Sequence, residues 1–270
     1  MSERRAIDLV DEPNTVSSLV ADLRKLGVNG GDTLLVHSSL GSLGWTAGGP
    51  QAVVEAPRSV VTETGTLVMP THSPQYTDPA NWSNPPVPSS WVEPIRDSMP
   101  PYRPAVTPTR GMGAIPECFR TYPDVVRGEH PTLSFAAWGA EAEPIVTDHP
   151  FDFALGNRSP LGRIYERDGR VLLIGVGHET NTSLHLAEYR ADLDIGSFTA
   201  STPVRKDSER VVVEYEVLDT STDGFGELGA DFEAHVGLEA GPVGAATAKL
   251  IDQRALVDFA VDWLEANRSD

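Results

Sequence analysis

Residues 30–50, GGDTLLVHSSLGSLGWTAGGP, contain the pattern that decides the fold of this chain. The apolar run from Thr33 to His37 is short and continuous, which is typical of a strand that is buried on both faces of a sheet. A loop rich in glycine and serine follows, and Pro50 suits the first turn of a helix. A buried strand, a glycine-containing loop and a helix in this order predict an α/β protein.

The flanking sequence predicts further helices and strands. Helical spacing of apolar residues and capping signals predict helices over 15–26, 112–121, 226–238 and 242–266, and from Ser159 and Ser183 onward. Short apolar runs predict strands at 66–69 and 170–175, and the alternating residues 197–218 predict a β-hairpin. The chain is therefore predicted to be α/β, with a central mixed sheet flanked by helices and a small antiparallel β lobe in the C-terminal third.

The length of 270 residues fits a single domain over residues 1–270, in which we expect 197–235 to form a β-hairpin subdomain. Residues 72–110 contain ten prolines and show poor periodicity. A loop of this length in a compact domain is usually functional or disordered, and its aromatic residues argue for order. We expect an ordered binding loop with one short helix near Trp91–Asp97.

The composition is strongly acidic, with 39 acidic and 21 basic residues and a net charge of −18. This charge argues against nucleic acid and anionic membranes as partners, because binding to phosphate requires a basic face. It is compatible with a cationic small molecule, and equally with a solvated surface suited to high salt. No apolar run could span a bilayer, the N-terminus lacks the pattern of a signal peptide, and Cys118 is the single cysteine. These features predict a cytoplasmic protein.

His185 is the histidine whose position best indicates chemistry. It lies at the start of a predicted helix that follows a buried strand and a glycine-rich turn, in LLIGVGHETNTSLHLAE. In α/β sheets ligands bind beyond the carboxyl ends of the strands, and an imidazole can accept a proton near neutral pH. Glu188 lies three residues further on and shares the same helix face. The spacing H-x-x-E occurs often by chance, so the position carries the argument.

Polar groups also follow the first strand. His37 ends it, and Ser38, Ser39 and Ser42 follow in a glycine-containing loop whose hydroxyl and N–H groups could cradle an anion. The loop has neither P-loop nor dinucleotide-fingerprint spacing, so an ordinary strand-to-helix connection is the alternative. The motifs HExxH, CxxC and GxSxG are absent, which argues against a metal site and a serine hydrolase.

Three aspartates are candidates for binding cationic groups. Asp219 and Asp223 lie just beyond the predicted hairpin, and Asp78 lies in the aromatic loop. Aspartate is also common in polar turns and as a cap, so the sequence context leaves both roles open.

Several segments together resemble the aminoglycoside 3-N-acetyltransferase family. They occur in the family's order and cover most of residues 15–265: LLVHSSLGSLGWTAGG (34–49), GTLVMPTHS (65–73), YTDPANW…PPVP (76–88), TPTRGMGAIPECFRTYPDVVRGEHPTLSFAAWG (107–139), SPLGRIYERDGRVLLIGVGHETNTSLHLAE (159–188) and GPVGAATAKL (241–250). The resemblance implies a metal-independent enzyme that uses acetyl-CoA to acetylate the 3-amino group of the 2-deoxystreptamine ring of aminoglycosides. The alternative is an acyl-CoA N-acyltransferase that acts on a different small amine.

The resemblance also implies roles for individual residues. His185 matches the family's catalytic histidine and is expected to act as a general base in direct transfer, with Asp219 as its acidic partner. Asp78, Glu188 and Asp223 are expected to bind the amino sugar. The residues expected to bind CoA are His37, Ser38, Ser39, Leu40, Ser42, Leu43, Gly44, Thr109, Arg110 and Met112. We expect a monomer or a homodimer whose small-molecule partners are an aminoglycoside and CoA.

Overall fold

The computed structural model describes residues 3–268, so the two residues at each end of the predicted domain lie outside the described part. The helices are α1 Glu3–Ile7, α2 Val16–Lys25, α3 Pro50–Val61, α4 Val92–Ser98, α5 Ala114–Phe119, α6 Ala142–Val146, α7 Pro160–Glu166, α8 Ser183–Glu188, α9 Phe225–Val236 and α10 Gln253–Asn267. The strands are β1 Thr33–Ser38, β2 Thr66–Pro70, β3 Val126–Arg127, β4 Phe135–Gly139, β5 Arg170–Ile174, β6 Ser197–Lys206, β7 Glu209–Leu218, β8 Glu239–Val243 and β9 Ala246–Asp252.

Seven strands form one mixed sheet in the order β3-β4-β2-β1-β5-β9-β8. The central strand β1 runs parallel to β2 on one side and to β5 on the other, and the outer strands pair antiparallel. Strands β6 and β7 form a separate antiparallel hairpin. The predicted fold class, a mixed sheet flanked by helices with a small antiparallel lobe, is confirmed.

Successive buried side chains of β1 point alternately into two apolar cores, one on each face of the sheet. Leu34 and Val36 point into the core covered by α2, α3 and α5, whereas Leu35 points into the core covered by α6 to α10. Successive side chains of a strand point to opposite faces, so a strand covered on both sides is apolar throughout. The continuous apolar run of the sequence follows from this arrangement.

The helix expected over 242–266 is wrong in its first half. Residues Ala246–Asp252 form β9, which pairs with β5 inside the main sheet, and α10 begins only at Gln253. Asp252 caps this helix, because its side chain accepts a hydrogen bond from the N–H of Ala255. Short apolar segments fit either a helix or a strand, and here the open edge of β5 selects the strand.

Within the long proline-rich segment 72–110, α4 lies close to the helix expected near Trp91–Asp97. The hairpin packs on this segment, where the N–H of Tyr102 donates to the carbonyl of Pro203 at 2.9 Å. By contrast α9 packs into the main core through Phe225 and Phe232. The wider subdomain over 197–235 stays a prediction. No helix among residues 3–268 has the length and apolarity to cross a membrane.

Candidate active site

The carboxyl ends of three parallel strands meet at one edge of the sheet. His37 lies near the end of β1, His72 follows the end of β2, and Gly175 follows the end of β5. Helix α8 begins shortly after β5 and places His185 at the same edge. Ligands of open α/β sheets bind outside such strand ends, where neighbouring connections leave a crevice.

His185 forms its closest polar contact with Glu188 on the same short helix. Nδ1 lies 2.6 Å from Oε2 of the carboxylate, and the imidazole is largely buried. A carboxylate only accepts, so Nδ1–H donates in this pair and the other ring nitrogen carries the lone pair. Nε2 has no hydrogen-bond partner among the described residues. This tautomer leaves Nε2 free to accept a proton.

The Glu188 carboxylate is enclosed by the protein. Its side chain has no exposed surface, and its second oxygen, Oε1, accepts hydrogen bonds from Arg268 Nη1 at 2.6 Å and from the N–H of Ser221 at 3.3 Å. An ionised carboxylate that is removed from water requires such partners. The Glu188 side chain therefore contacts other protein groups, and no part of it is exposed to a ligand.

His185 lines a cavity of about 540 Å³, which we call the His185 cavity. Thr182 and Tyr189 line it on the α8 side, and the loop of residues 219–222 forms the opposite wall. His72 reaches it from the segment after β2. The burial of His72 lowers its pKa to about 3, so its imidazole is neutral at physiological pH.

A second cavity of about 520 Å³, the β1 cavity, lies over the end of β1. Residues 36–41 form one wall and residues 111–116 form the other. Thr182 lines both this cavity and the His185 cavity, and its hydroxyl lies 3.3 Å from Nε2 of His37. Burial lowers the pKa of His37 to about 3, which leaves a neutral ring. The two cavities therefore adjoin at one residue beside the candidate base.

A third cavity of about 660 Å³, the Asp78 cavity, lies between the long loop and the hairpin. It shares His72, Phe198 and Val217 with the His185 cavity and Met112 with the β1 cavity. Phe198 is 43% exposed, so its ring offers an apolar face to a bound molecule. The shared residues place the three cavities side by side, and we call the three together the groove.

The family model for aminoglycoside 3-N-acetyltransferase matches residues 35–265 of this chain. The chain belongs to this family. The family consists of acetyl-CoA-dependent acyltransferases, and the prediction of an acetyltransferase is confirmed at that level. Among the described residues, no group of three or more His, Cys, Asp or Glu could hold a metal ion.

Two curated members of the family align with nearly the whole chain. The SPbeta prophage-derived aminoglycoside N(3')-acetyltransferase-like protein YokD of Bacillus subtilis is 44% identical over 98% of both chains. Aminoglycoside N(3)-acetyltransferase VII of Streptomyces paromomycinus is 36% identical over 98% of this chain and 96% of the relative.

Solved family structures share the fold described above. The crystal structure of YokD has a TM-score of 0.95 at 43% identity and covers 98% of both chains. The binary complex of AAC-IIIb with CoASH has a TM-score of 0.85 at 32% identity, with 94% of this chain and 97% of that chain covered. The neutron and X-ray structure of AAC-VIa with bound sisomicin has a TM-score of 0.86 at 34% identity, with 96% and 100% covered.

The ten residues that the family resemblance assigns to CoA divide into two groups. His37, Ser38, Ser39, Leu40 and Met112 line the β1 cavity. Ser42, Leu43, Gly44, Thr109 and Arg110 do not line it. The hydroxyl of Ser42 bonds to Ser39 and to the Gly175 carbonyl, and Thr109 bonds to Glu117. Leu43 is fully buried in the core, Gly44 lines a neighbouring cavity beside Trp45, and Arg110 is exposed.

The acids expected to act on the substrate also occupy different surroundings. The Glu188 carboxylate is fully buried and both of its oxygens are bound to protein groups; its expected contact with an ammonium group of the substrate stays a prediction. The structure also places Glu188, and not Asp219, on Nδ1 of His185; Asp219 is exposed and lines the His185 cavity. Asp78 lines its own cavity but forms an ion pair with Arg96 at 2.8 Å. Asp223 is exposed and lines none of the three cavities.

Sequence reasoning missed two residues of the site. His72 follows a strand end in the same way as His37, so its position was an available signal. Arg268 lies beyond the matched residues 35–265 and contacts Glu188 only through the packing of α10 against α8. No local sequence pattern could have connected Arg268 with Glu188, which lies 80 positions earlier in the chain.

Proposed function

We propose that this enzyme transfers the acetyl group of acetyl-CoA directly to the 3-amino group of the 2-deoxystreptamine ring of an aminoglycoside, with His185 as the general base. The observation that carries the proposal is the geometry of His185. Its Nδ1 donates to Glu188, which leaves Nε2 as the acceptor on a side chain that lines a cavity. That cavity adjoins the β1 cavity at Thr182.

The residues of the β1 cavity fit the donor, acetyl-CoA. The hydroxyl oxygen of Ser38 is buried and has no hydrogen-bond partner among the described residues, although Ser38 lines the cavity. A buried polar group without a partner favours a ligand that supplies one. The AAC-IIIb complex with CoASH supports the same class of donor. When bound, acetyl-CoA supplies the activated acetyl group as a thioester.

The chain's own residues move the proton. An ammonium group has no lone pair, so the amine that reacts must first be neutral, and Nε2 of His185 removes a proton as nitrogen bonds to the acetyl carbon. The carbon–sulfur bond breaks, and the CoA thiolate leaves and takes up the proton that His185 removed from the amine, which returns the imidazole to its neutral form. Glu188 holds Nδ1 and stabilises the imidazolium that forms. No acyl-enzyme forms in this proposal, because the base acts on the amine itself.

Release of the CoA thiol from acetyl-CoA, measured against a panel of aminoglycosides, tests the proposal. The wild-type protein should release thiol, and His185→Ala should lower kcat by roughly 10²- to 10⁴-fold. His235→Ala is the matched control, since His235 is exposed on α9 and lines none of the three cavities. A loss below about threefold in His185→Ala would contradict the assignment of the base.

The absence of a covalent intermediate needs a separate measurement. We expect the intact mass of the enzyme to stay unchanged after incubation with acetyl-CoA alone. A stoichiometric gain of one acetyl group, removed on addition of the amine, would replace direct transfer with a two-step reaction.

One observation favours a second candidate, an acyl-CoA N-acyltransferase for a less cationic amine. Of the described carboxylates that line the His185 and Asp78 cavities, Asp78 is paired with Arg96, so Asp219 alone is left unpaired. A polycation would use more unpaired acids than this. Including monoamines with apolar or hydroxyl-bearing substituents in the same panel distinguishes the two candidates, because kcat/KM would then rank the monoamines first.

A further inference from the structure

We propose that Arg268 is a positioning residue that sets the Glu188 carboxylate for His185 and fixes the loop of residues 219–223 against the acceptor side of the groove. The proposal rests on the proposed function, in which His185 is the base. It concerns the last residue that the structure describes, which lies at the C-terminal end of α10.

The first observation is the division of the two Glu188 oxygens. Oε2 bonds to His185 and Oε1 bonds to Arg268, each at 2.6 Å. His185 contacts only Oε2, and the Glu188 side chain has no exposed surface, so the second oxygen needs a partner from elsewhere in the protein. Within residues 3–268, Arg268 is the only Lys or Arg in ion-pair contact with Glu188. The guanidinium therefore pairs with this buried carboxylate and holds it in place.

The second observation is the use of the other guanidinium nitrogen. Arg268 Nη2 donates to the carbonyl of Ser221 at 3.2 Å and to the carbonyl of Asp223. The N–H of Ser221 in turn donates to Glu188 Oε1. The planar fork of arginine can hold a carboxylate and two carbonyls at once, which a lysine ammonium cannot match in geometry.

Ser221 connects these contacts to the substrate. It lines the His185 cavity together with Asp219 and its neighbours, so its backbone forms part of the acceptor wall. The rigid guanidinium group of Arg268 binds both the backbone carbonyl of Ser221 and the carboxylate of Glu188. The same residue thus sets the orientation of the base and the position of the wall.

Packing holds Arg268 in this position. Its N–H donates to the carbonyl of Leu264 at 2.8 Å, and the fully buried Leu264 anchors the end of α10 in the core. The guanidinium carbon lies 5.6 Å from the centre of the Phe225 ring, and that ring lies 5.1 Å from the ring of His185. Phe225 therefore fills the space between the arginine and the base.

The positive charge of Arg268 and the planar shape of its guanidinium group should affect the site in different ways. Without a cation beside it, the His185–Glu188 pair binds a proton more readily, whichever residue carries that proton. Among the described residues, the other titratable groups that line the cavity beside the pair are His72, Tyr189 and Asp219, and Arg268 contacts the pair directly from the end of α10. Of these groups, Arg268 is the only permanent cation.

The experiment compares Arg268→Met, which removes charge and fork, with Arg268→Lys, which keeps only the charge. Two readouts are used: kcat and both KM values by thiol release from pH 5 to 9, and the titration of the His185 ring by NMR of labelled histidine. Arg268→Met should move the acidic limb of kcat/KM and the midpoint of the His185 NMR titration to higher pH, because the cation beside the carboxylate is lost. Arg268→Lys should leave this limb in place and raise the KM of the amine several-fold, with the KM of acetyl-CoA unchanged.

Arg254 on the same helix provides the control, because it pairs with Asp168 away from the groove. Arg254→Met should alter neither the His185 titration nor the KM of the amine. An unchanged His185 titration in a folded Arg268→Met protein would overturn the proposal. So would an unchanged amine KM in Arg268→Lys. If the wild-type protein releases no thiol with any amine while the titration shifts as expected, the proposed function fails and the role of Arg268 in holding Glu188 stands.

Discussion

His185 and Glu188 lie three residues apart on α8, and Nδ1 of the imidazole is 2.6 Å from Oε2 of the carboxylate. A six-residue helix thus provides both a candidate base and the group that orients it. Side chains at this spacing share one helix face, so the pair forms within the helix itself. Asp219, the acid expected in this role, lies on the opposite wall of the cavity.

Glu188→Gln should lower kcat by roughly 10²-fold or more, because the amide cannot balance the imidazolium. Asp219→Asn should change kcat less than about threefold and raise the KM of the amine, since this carboxylate faces the cavity. Steady-state kinetics by thiol release measures both variants. If Asp219→Asn lowers kcat as much as Glu188→Gln does, Asp219 and not Glu188 orients the His185 imidazole.

Ser38→Ala should weaken the binding of acetyl-CoA without lowering the stability of the protein. The Ser38 hydroxyl has no protein partner among the described residues and lines the β1 cavity, so its bond is available to the ligand. Loss of one hydrogen bond predicts an increase in the acetyl-CoA KM of about two- to tenfold. Ser42→Ala is the matched comparison: its hydroxyl bonds to Ser39 and Gly175, so it should lower the melting temperature instead. The reverse pattern would contradict the assignment.

Arg127→Met should destabilise the protein by about 3 kcal/mol. This guanidinium is 8% exposed and donates to the carbonyl groups of Thr71, Pro104 and Thr107, which ties the long loop to the end of β2. Substitution removes this donor from the carbonyls of Pro104 and Thr107, whereas the Thr71 carbonyl keeps the hydroxyl of Ser134. Arg103 in the same loop is exposed and has no side-chain partner among the described residues, so Arg103→Met should cost less than about 0.5 kcal/mol. Urea denaturation measures the free energy of unfolding of both variants, and equal losses would contradict the role of Arg127 in connecting the long loop to β2.

Stability should decrease as the pH falls from 6.5 towards 4. Burial lowers the pKa of His37 and His72 to about 3, that of His149 to about 4, and that of His130 well below 6.5. In this window the unfolded chain binds protons that the folded protein does not, so the free energy of unfolding rises with pH and its histidine contribution is complete above pH 6.5. Each histidine contributes a slope of up to about 1.4 kcal/mol per pH unit.

Urea midpoints at pH 7.5, 6.5, 5.5 and 4.5 measure this slope. His72→Asn should flatten it, whereas the exposed His235→Asn should leave it unchanged. A midpoint that stays constant between pH 7 and 5 would show that the buried rings do not govern acid stability.

Several features of the fold could be predicted because their signals are local. The apolar run of β1, the proline and glycine around α3 and the start of α8 at Ser183 each depend on neighbouring residues. By contrast β9 was expected as a helix, because a short apolar segment takes its conformation from the strand beside which it lies.

The sequence by itself determined that an imidazole follows a buried strand at the edge of an α/β sheet, since hydrophobic periodicity and turn residues act over a few positions. Only the tertiary structure decided which charges surround that imidazole. The packing of α8 buries Glu188, and Arg268 forms an ion pair with it from the end of α10. Arg96 forms an ion pair with Asp78. Burial and ion pairing depend on groups that are distant along the chain, so no local pattern encodes them.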